Sequence, residues 1–353
     1  MSKILVTGAA GFIGSHTCLV LLQSGHEIYA LDSFESSSSL SLKTVSKINH
    51  SKSNEKSNKL HILKVDLRNF NDLQNIFEKI YSNGEEFLGV IHFAALKCVS
   101  ESVNSPIKYW ETNLIATINL LKVMDQYNCK TIVFSSSASI YGNSEQSKIK
   151  ENSDLRPLNP YGNTKVAAEQ LLNDLFQSDN NWQIAILRYF NPIGAHSSGL
   201  IGEDPLSEAK NIFPLLTKVA LGQQNKLIIY GNDWPTNDGT GVRDYIHIMD
   251  LAEGHLRALK YLIEHTSKII NLNIGTGIGT SVLELVEVFQ RVNNVDIPYT
   301  FRKRREGDSA VTIADNTKLK NLLNWAPKRT IEEMCIDGWR WQKRHPRGYV
   351  LDR

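Results

Sequence analysis

Tyr161 and Lys165 stand four residues apart in a stretch that opens with Asn159-Pro160 and keeps helical periodicity to Leu175. Asparagine caps a helix start and proline suits its first turn, so the pair is expected on one helix face. There the lysine ammonium favours the phenolate form of the tyrosine. A phenol of ordinary pKa about 10 then exchanges a proton near neutral pH, which is general acid–base chemistry on a hydroxyl. This spacing is common by chance, and its weight comes from what precedes it. Thr131 to Phe134 reads as a strand and opens into Ser135-Ser136-Ser137-Ala138-Ser139-Ile140-Tyr141-Gly142. Alone, these serines would be a polar turn; at the carboxyl end of a sheet strand they face the crevice where ligands bind.

A second constellation lies at the start of the chain. Ile4 to Val6 reads as a strand running into Thr7-Gly8-Ala9-Ala10-Gly11-Phe12-Ile13-Gly14, and Ser15 to Leu22 has helical spacing. Glycines at Gly8, Gly11 and Gly14 let a pyrophosphate approach the backbone, and amides at the helix start point at its charge. The next strand ends in Asp32, where a carboxylate can hydrogen-bond the adenosine ribose. That acid repels a 2'-phosphate, and no arginine follows in Ser33-Phe34-Glu35, so NAD is expected rather than NADP. Its nicotinamide cation would add to the pull on the Tyr161 proton. Asp66 and Leu67 end the third strand, where a carboxylate can lie near the adenine. Alone, Asp66 reads as a turn residue and Asp32 as a strand-end cap.

The elements that must position these residues follow from hydrophobic pattern. Strands are expected at Ile4 to Val6, Glu27 to Leu31, His61 to Val65, Val90 to Phe93, Thr131 to Phe134 and Ile184 to Leu187. Each precedes a helical pattern or a turn, which predicts an α/β fold with a doubly wound parallel sheet of the Rossmann type. Ser33 to Lys59 is serine-rich and reads as a solvated loop or frayed helix. Past Leu187 the pattern loosens, then resumes with a helix near Leu251 to Ile263 and a strand at Ile269 to Ile274. The expected division is a dinucleotide-binding domain over 1–188, with 240–265 interleaved, and a second, smaller α/β substrate domain over 189–353.

Composition excludes several classes. The chain has 353 residues, 41% of them hydrophobic and 22% charged, enough to bury a sizeable core. Thirty-nine basic against 37 acidic residues leave a formal charge of +2, too balanced for a nucleic-acid or anionic-membrane footprint. No apolar run approaches the roughly 20 residues that span a bilayer. The first run has only Lys3 ahead of it and contains the glycines, so it reads as a strand and turn rather than a signal sequence, and the cytoplasm is expected. Cys18, Cys98, Cys129 and Cys335 lie far apart, so neither a disulfide framework nor a metal site is expected.

Together these motifs resemble the extended short-chain dehydrogenase/reductase superfamily, and almost the whole chain resembles its UDP-glucose (UDP-galactose) 4-epimerase family. The resemblance implies Ser137, Tyr161 and Lys165 as the catalytic serine, tyrosine and lysine. In His92-Phe93-Ala94-Ala95-Leu96-Lys97 it implies Phe93, Ala94, Ala95 and Lys97 at the cofactor, with Asn113 beside them. Leu187-Arg188-Tyr189-Phe190-Asn191-Pro192-Ile193-Gly194-Ala195-His196 matches a family signature, with Tyr189 near the nicotinamide and Phe190 and Asn191 on the substrate side. Asn211 and Ile212 match a nucleotide-clamping helix start, and Ile228 and Tyr230 a segment that brackets uracil. Arg243, within Gly239 to His247, is implied to hold the diphosphate. Arg302-Lys303-Arg304-Arg305 alone could be a charge run, but with Glu306-Gly307-Asp308 it resembles the family's diphosphate and ribose contacts, carried by Arg305 and Asp308. An arginine fork suits paired phosphates.

Two departures stand out. Ser33 and Ser36 replace asparagines common after Asp32, which bears on how tightly NAD is retained. Thr312 occupies a position often held by tyrosine in members restricted to glucose and galactose, so conversion of UDP-GlcNAc and UDP-GalNAc is an expectation too. The implied reaction is oxidation at carbon 4 of the hexose, turning of the 4-keto sugar and hydride return, in a protein that forms homodimers. A 4,6-dehydratase begins with the same oxidation but needs acids beside the serine, and Ser137-Ala138-Ser139 has none. A binding module that only senses NAD would not need Tyr161 and Lys165.

Overall fold

The computed structural model describes residues 2–52, 59–144, 146–205, 211–305 and 307–349. In chain order it begins β1 (Lys3–Thr7), α1 (Phe12–Gln23), β2 (Glu27–Asp32), α2 (Ser39–Lys52), β3 (Leu60–Lys64) and α3 (Phe70–Tyr81). β4 (Phe87–His92) leads into α4 (Val99–Asn104), α5 (Pro106–Trp110), a π-helical turn at Glu111–Ile115, and α6 (Ala116–Gln126). β5 (Thr131–Ser137) is followed by a 3-10 turn at Ala138–Tyr141, α7 (Pro160–Ser178) and β6 (Gln183–Tyr189). Then come β7 (Asn191–Ile193), α8 (Ile212–Ala220), β8 (Leu227–Tyr230), β9 (Val242–Arg243), β10 (Tyr245–His247), α9 (Ile248–Glu264) and β11 (Ile269–Ile274). The chain closes with β12 (Thr280–Ser281), α10 (Val282–Asn293), β13 (Tyr299–Arg302), β14 (Val311–Thr312), α11 (Thr317–Leu323) and α12 (Ile331–Arg344).

Seven strands form one parallel sheet in the order β11-β6-β5-β4-β1-β2-β3. Ile4, Leu5, Val6, Val90, Ile91, Ile132, Val133, Ile184 and Ala185 are wholly buried, because helices cover both faces of the sheet. Strand order reverses between β1 and β4, and a ligand crevice forms where their carboxyl ends part. The sheet takes its edge strand β11 from beyond residue 188, and α9 packs on α1 and on β5 and β6.

The serine-rich stretch holds more structure than its composition suggests. Residues Ser39–Lys52 form a helix whose Leu42, Val45 and Ile48 are buried in the same cluster as α1. Those apolar residues recur three apart, a stripe that the surrounding serines and lysines mask in composition. Residues 53–58 of the expected loop lie outside the described residues. The strand expected at Val90 to Phe93 is β4, which starts at Phe87 and ends at His92, so Phe93 belongs to the loop beyond it.

The later part has its own core, built from Phe213 and Leu216 of α8, Leu285 and Phe289 of α10, and Met334 and Trp339 of α12. Its strands pair in small sets: β7 with β10, β8 with β13, and β9 between β12 and β14. Asp244, between β9 and β10, is fully buried and accepts hydrogen bonds from Thr276 N and Oγ1, Gly277 N and Ala314 N. It thereby ties the β9–β10 segment to the end of β11 and to β14.

Candidate active site

The glycine turn is shaped for close approach. Gly8 has φ +62°, and a Cβ there would meet the Ala94 backbone nitrogen at 2.6 Å. A Cβ on Gly14 would lie 2.3 Å from the Gly8 carbonyl oxygen, so the helix packs against the turn only without a side chain. Gly11 is the N-cap of α1 and supplies no side-chain cap, while Phe12 is buried and Ile13 partly buried against the core. The first-turn amides and the helix dipole are thus available to an anion.

Asp32 Oδ2 accepts from Ala10 N, and Oδ1 accepts from Phe34 N and Ser37 Oγ. A carboxylate has about four acceptor positions, so one remains for a further donor such as a ribose hydroxyl. These features fit a dinucleotide: a cradle without side chains, a helix start and a fixed acid.

Asp66 sits in a turn. It is held by Arg68, which also reaches Glu35 at 2.8 Å, and the guanidinium keeps the Asp66 carboxyl below its usual pKa. Leu67 is buried in the core beneath. Phe93 lies 4.7 Å from the His255 ring, and the Ala94 amide faces Thr7 Oγ1 at 3.4 Å. Ala95 follows on the same loop. Lys97 is 59% exposed and pairs with Glu203 at 3.2 Å. Asn113, in the π-helical turn, is spent on the protein: Oδ1 accepts from Leu96 N, and Nδ2 donates to Leu96 O and Thr164 Oγ1. It clamps the loop holding Ala94 and Ala95 to α7.

The chemistry-bearing trio converges at the end of β5. Ser137 is the last residue of that strand, and its register partner on β6 is Tyr189. Asn159 caps α7 by accepting from Gly162 N at 2.9 Å, as its residue type predicts, and Pro160 occupies the first turn. Tyr161 and Lys165 are both buried, with the Lys165 ammonium 5.9 Å from the Tyr161 ring centre and 5.0 Å from that of Phe134. Lys165 donates to the Ser135 carbonyl at 2.8 Å.

In the protein alone the Tyr161 pKa is raised, because burial penalises the phenolate more than the Ser137 hydroxyl, which opposes the shift, can recover. Burial also lowers Lys165 to about 8. The phenolate is therefore not favoured by the lysine alone, which bonds a backbone carbonyl rather than the phenol. Tyr189, hydrogen-bonded to Ser135 Oγ, is pushed well above its usual pKa by burial and by neighbouring Tyr161.

The second half supplies a wall of cationic and aromatic groups. The Arg305 guanidinium lies 4.9 Å from the Tyr230 ring centre and donates to Asp308 at 3.0 Å. Neighbouring Arg304 turns elsewhere, onto Trp234 and Asp233. Ile228 and Tyr230 lie on β8 beside Thr300 and Arg302 of β13. Arg243 donates to the Val242 carbonyl, and burial holds its pKa below the usual value despite Asp308 nearby. Thr312 pairs in register with Arg243, its hydroxyl 2.7 Å from Ser309 Oγ. Phe190 is buried at the end of β6, Asn191 begins β7, and exposed Asn211 caps α8 without a side-chain bond, ahead of Ile212. Glu306 lies outside the described residues.

Sequence reasoning assigned no role to Asp244, although it lies inside a quoted motif, nor to Glu169 and Arg188. Glu169 is one helical turn beyond Lys165, a spacing that could have drawn attention to it; the partners of all three are distant in the chain.

Comparison with known proteins bears on this arrangement. A family model described as GDP-mannose 4,6 dehydratase matches residues 5–337. The UDP-glucose 4-epimerase of Bacillus subtilis (strain 168) is 48% identical over 346 residues, 98% of each chain. The structure of UDP-glucose-4-epimerase from Stenotrophomonas maltophila with bound NAD and formylated UDP-arabinopyranose superposes with a TM-score of 0.92 at 38% identity, covering 98% of this chain and 99% of that one. That of the Bifidobacterium longum enzyme in complex with NAD+ and UDP gives 0.91 at 40% identity, covering 99% and 100%. At this identity and coverage, and with a sheet switch point, a glycine cradle and a buried tyrosine–lysine pair in the fold, the chain belongs to the UDP-glucose 4-epimerase family.

Proposed function

We propose that this protein interconverts UDP-galactose and UDP-glucose as an NAD-dependent 4-epimerase, and so serves galactose metabolism. The observation that carries this reading is the convergence of half-buried Ser137 at the end of β5 with buried Tyr161 and Lys165 on α7. Gly8, Gly11, Gly14, Asp32 and the Phe93 to Ala95 loop hold the NAD. Asp66, Leu67, Lys97 and Asn113 frame its site, Asn113 from behind. When bound, NAD supplies a reversible hydride acceptor for carbon 4 of the hexose. The division of labour follows the chain, with 1–188 and 240–265 on the dinucleotide and 189–353 on the sugar nucleotide.

Tyr161 exchanges the proton of the 4-hydroxyl, and Ser137 hydrogen-bonds that oxygen. Burial alone raises the Tyr161 pKa; a cation beside it reverses that balance, and Lys165 contributes from the far side. Tyr189 closes the crevice next to them. Epimerisation requires the 4-keto sugar to present its other face. An uneven grip permits this: Arg243 and Arg305 hold the diphosphate, Ile228 and Tyr230 bracket the uracil, and Asp308, Asn191, Phe190, Asn211 and Ile212 complete the nucleotide side. Binding energy is placed on the part that does not react, leaving the hexose free to turn. Dehydration is disfavoured, because no acid stands in Ser137-Ala138-Ser139.

Thr312 extends the reading to UDP-GlcNAc and UDP-GalNAc, since a threonine leaves volume that a tyrosine ring would fill. A homodimer is supported by Val99, Val103, Ile107, Trp110 and Ile115, apolar side chains exposed on adjoining segments from α4 to the π-helical turn. Four free cysteines support a reducing compartment, the cytoplasm. No helix among the described residues is long and apolar enough to cross a membrane.

The deciding experiment incubates purified protein with UDP-galactose and no added NAD, following UDP-glucose by its anomeric proton signals. UDP-glucose is expected to appear. No conversion with or without added NAD would reject the reaction.

A further inference from the structure

Beneath the reacting groups lies an ion pair that touches neither crevice nor solvent. Glu169 and Arg188 are 2% and 3% exposed. Arg188 donates from Nε to Glu169 Oε1 at 3.0 Å and from Nη2 to Oε2, a two-pronged contact. Its Nη1 donates to Tyr141 Oη at 2.9 Å and to the Glu151 carbonyl at 2.8 Å. Ser136 Oγ donates to Glu169, and Tyr141 Oη donates to Asn273 Oδ1 at 2.7 Å. The network therefore joins α7, β5, β6 and β11 directly under Ser137.

Burying such a pair has a large desolvation cost, and well-packed apolar residues often serve stability as well or better. A role beyond stability is therefore worth seeking, and the connections indicate one. Glu169 lies one helical turn past Lys165, with the lysine ammonium seated on the carbonyl of Ser135, the neighbour of Glu169's own partner Ser136. We propose that Glu169, braced by Arg188, is a positioning residue for the epimerase reaction: it keeps Lys165 charged and seated, and fixes the strand end from which Ser137 projects. This rests on the reading of Ser137, Tyr161 and Lys165 given above.

The charged and titratable groups around Lys165 agree with this. Tyr161 and Glu169 face it from its own helix, His92 from β4 and Arg188 from β6, behind Glu169. His92 is kept neutral by burial and by Lys165 itself, and it bonds Thr7 Oγ1 and Thr117 Oγ1. Burial pulls the lysine toward its neutral form, and Glu169 is the group that opposes this. Without the carboxylate, an unpaired Arg188 would add to the pull.

The test compares the holoenzyme with Glu169→Gln, with Glu169→Asp, and with Glu169→Gln combined with Arg188→Gln, which leaves no lone buried charge. Two quantities are read: the pH profile of kcat on UDP-galactose, and the nitrogen resonance of the Lys165 ammonium, assigned with Lys165→Met. With Glu169→Gln, the alkaline limb and the lysine titration should move down by about one pH unit. The corresponding loss in kcat is about fivefold at pH 8 and smaller at pH 6, where the lysine stays charged, with KM little changed. Glu169→Asp should restore part of the shift. If the single Gln variant does not fold, the double variant should carry a shift of the same sign. Folded variants whose limb and lysine titration match the wild type, whatever their thermal stability, would overturn the proposal. Because the lysine titration needs no substrate, a wild type silent on UDP-galactose but showing the Glu169→Gln shift would reject the reaction, and with it the positioning role, while showing that Glu169 keeps Lys165 charged.

Discussion

Asn113 Nδ2 donates to Thr164 Oγ1 at 3.0 Å, joining the π-helical turn to α7 one residue before Lys165. The same amide exchanges two hydrogen bonds with the Leu96 backbone. A wide turn in a helix re-aims a side chain, and here it aims an asparagine at two elements that must stay in register. Asn113→Ala should leave the Leu96 N–H and carbonyl without this partner, while the Thr164 hydroxyl keeps its bond to Tyr161 O, and lower stability by about 2 kcal/mol. Bound NAD should also leave the protein faster on gel filtration. An unchanged urea midpoint with full retention would show that the clamp is dispensable.

Arg243 is held below its usual pKa by burial, and its one intraprotein hydrogen bond among those described goes to a carbonyl. An arginine desolvated without a firm carboxylate partner is suited to an incoming anion. Arg243→Met should weaken UDP binding by about 2 kcal/mol, roughly thirtyfold, because a charge-assisted hydrogen bond is lost. The unfolding midpoint of the free protein should not fall. Calorimetric titration with UDP checks the first statement, and a large drop in midpoint would show the arginine to be a folding element instead.

We propose that Thr312, paired in register with Arg243, controls room at the sugar. In the wild type, UDP-GalNAc and UDP-galactose should turn over at comparable rates. Thr312→Tyr should lose the acetylated substrate while keeping most of its activity on the plain one. Absence of any wild-type activity on UDP-GalNAc would remove the acetylated pair from the substrate range.

Asp244 accepts four hydrogen bonds in full burial, and burial raises its pKa in spite of them. Asp244→Ala would leave the donors of Thr276, Gly277 and Ala314 unmet, at about 1–3 kcal/mol each before relaxation. Either the protein does not accumulate or its urea midpoint falls sharply. A midpoint within experimental scatter of the wild type would contradict this account.

Burial lowers His16 and His92 to about 3 and His255 to about 4, from an ordinary 6.5. Between those values and 6.5 the unfolded chain binds more protons than the folded one, so stability present above pH 6.5 is lost as pH falls. The loss is about 1.4 kcal/mol per histidine for each pH unit below 6.5. The three imidazole Cε1 proton shifts should stay constant from pH 7.5 to 5, while the urea midpoint drops. Titration of all three near pH 6.5 in the folded protein would refute it.

Local patterning was enough for much of this protein. The glycine turn, the cap at Asn159-Pro160, the strand at Ile269–Ile274 and the helix placing Tyr161 and Lys165 together are short-range matters of spacing and residue type, legible from the chain. The family resemblance extended that reading to the second half. What only the tertiary structure decided is where long-range partners meet. The serine-rich stretch reads equally as solvated loop or frayed helix because its apolar stripe is diluted by serine, and burial against α1 decides for helix α2. Glu169 meets Arg188 because α7 packs on β6; Asp244 gathers donors from Thr276, Gly277 and Ala314; Asn113 turns inward through a π-helical turn. The Tyr161 balance shows the same division: spacing tells which groups are near, but burial sets what a charge costs, and burial belongs to the assembled fold.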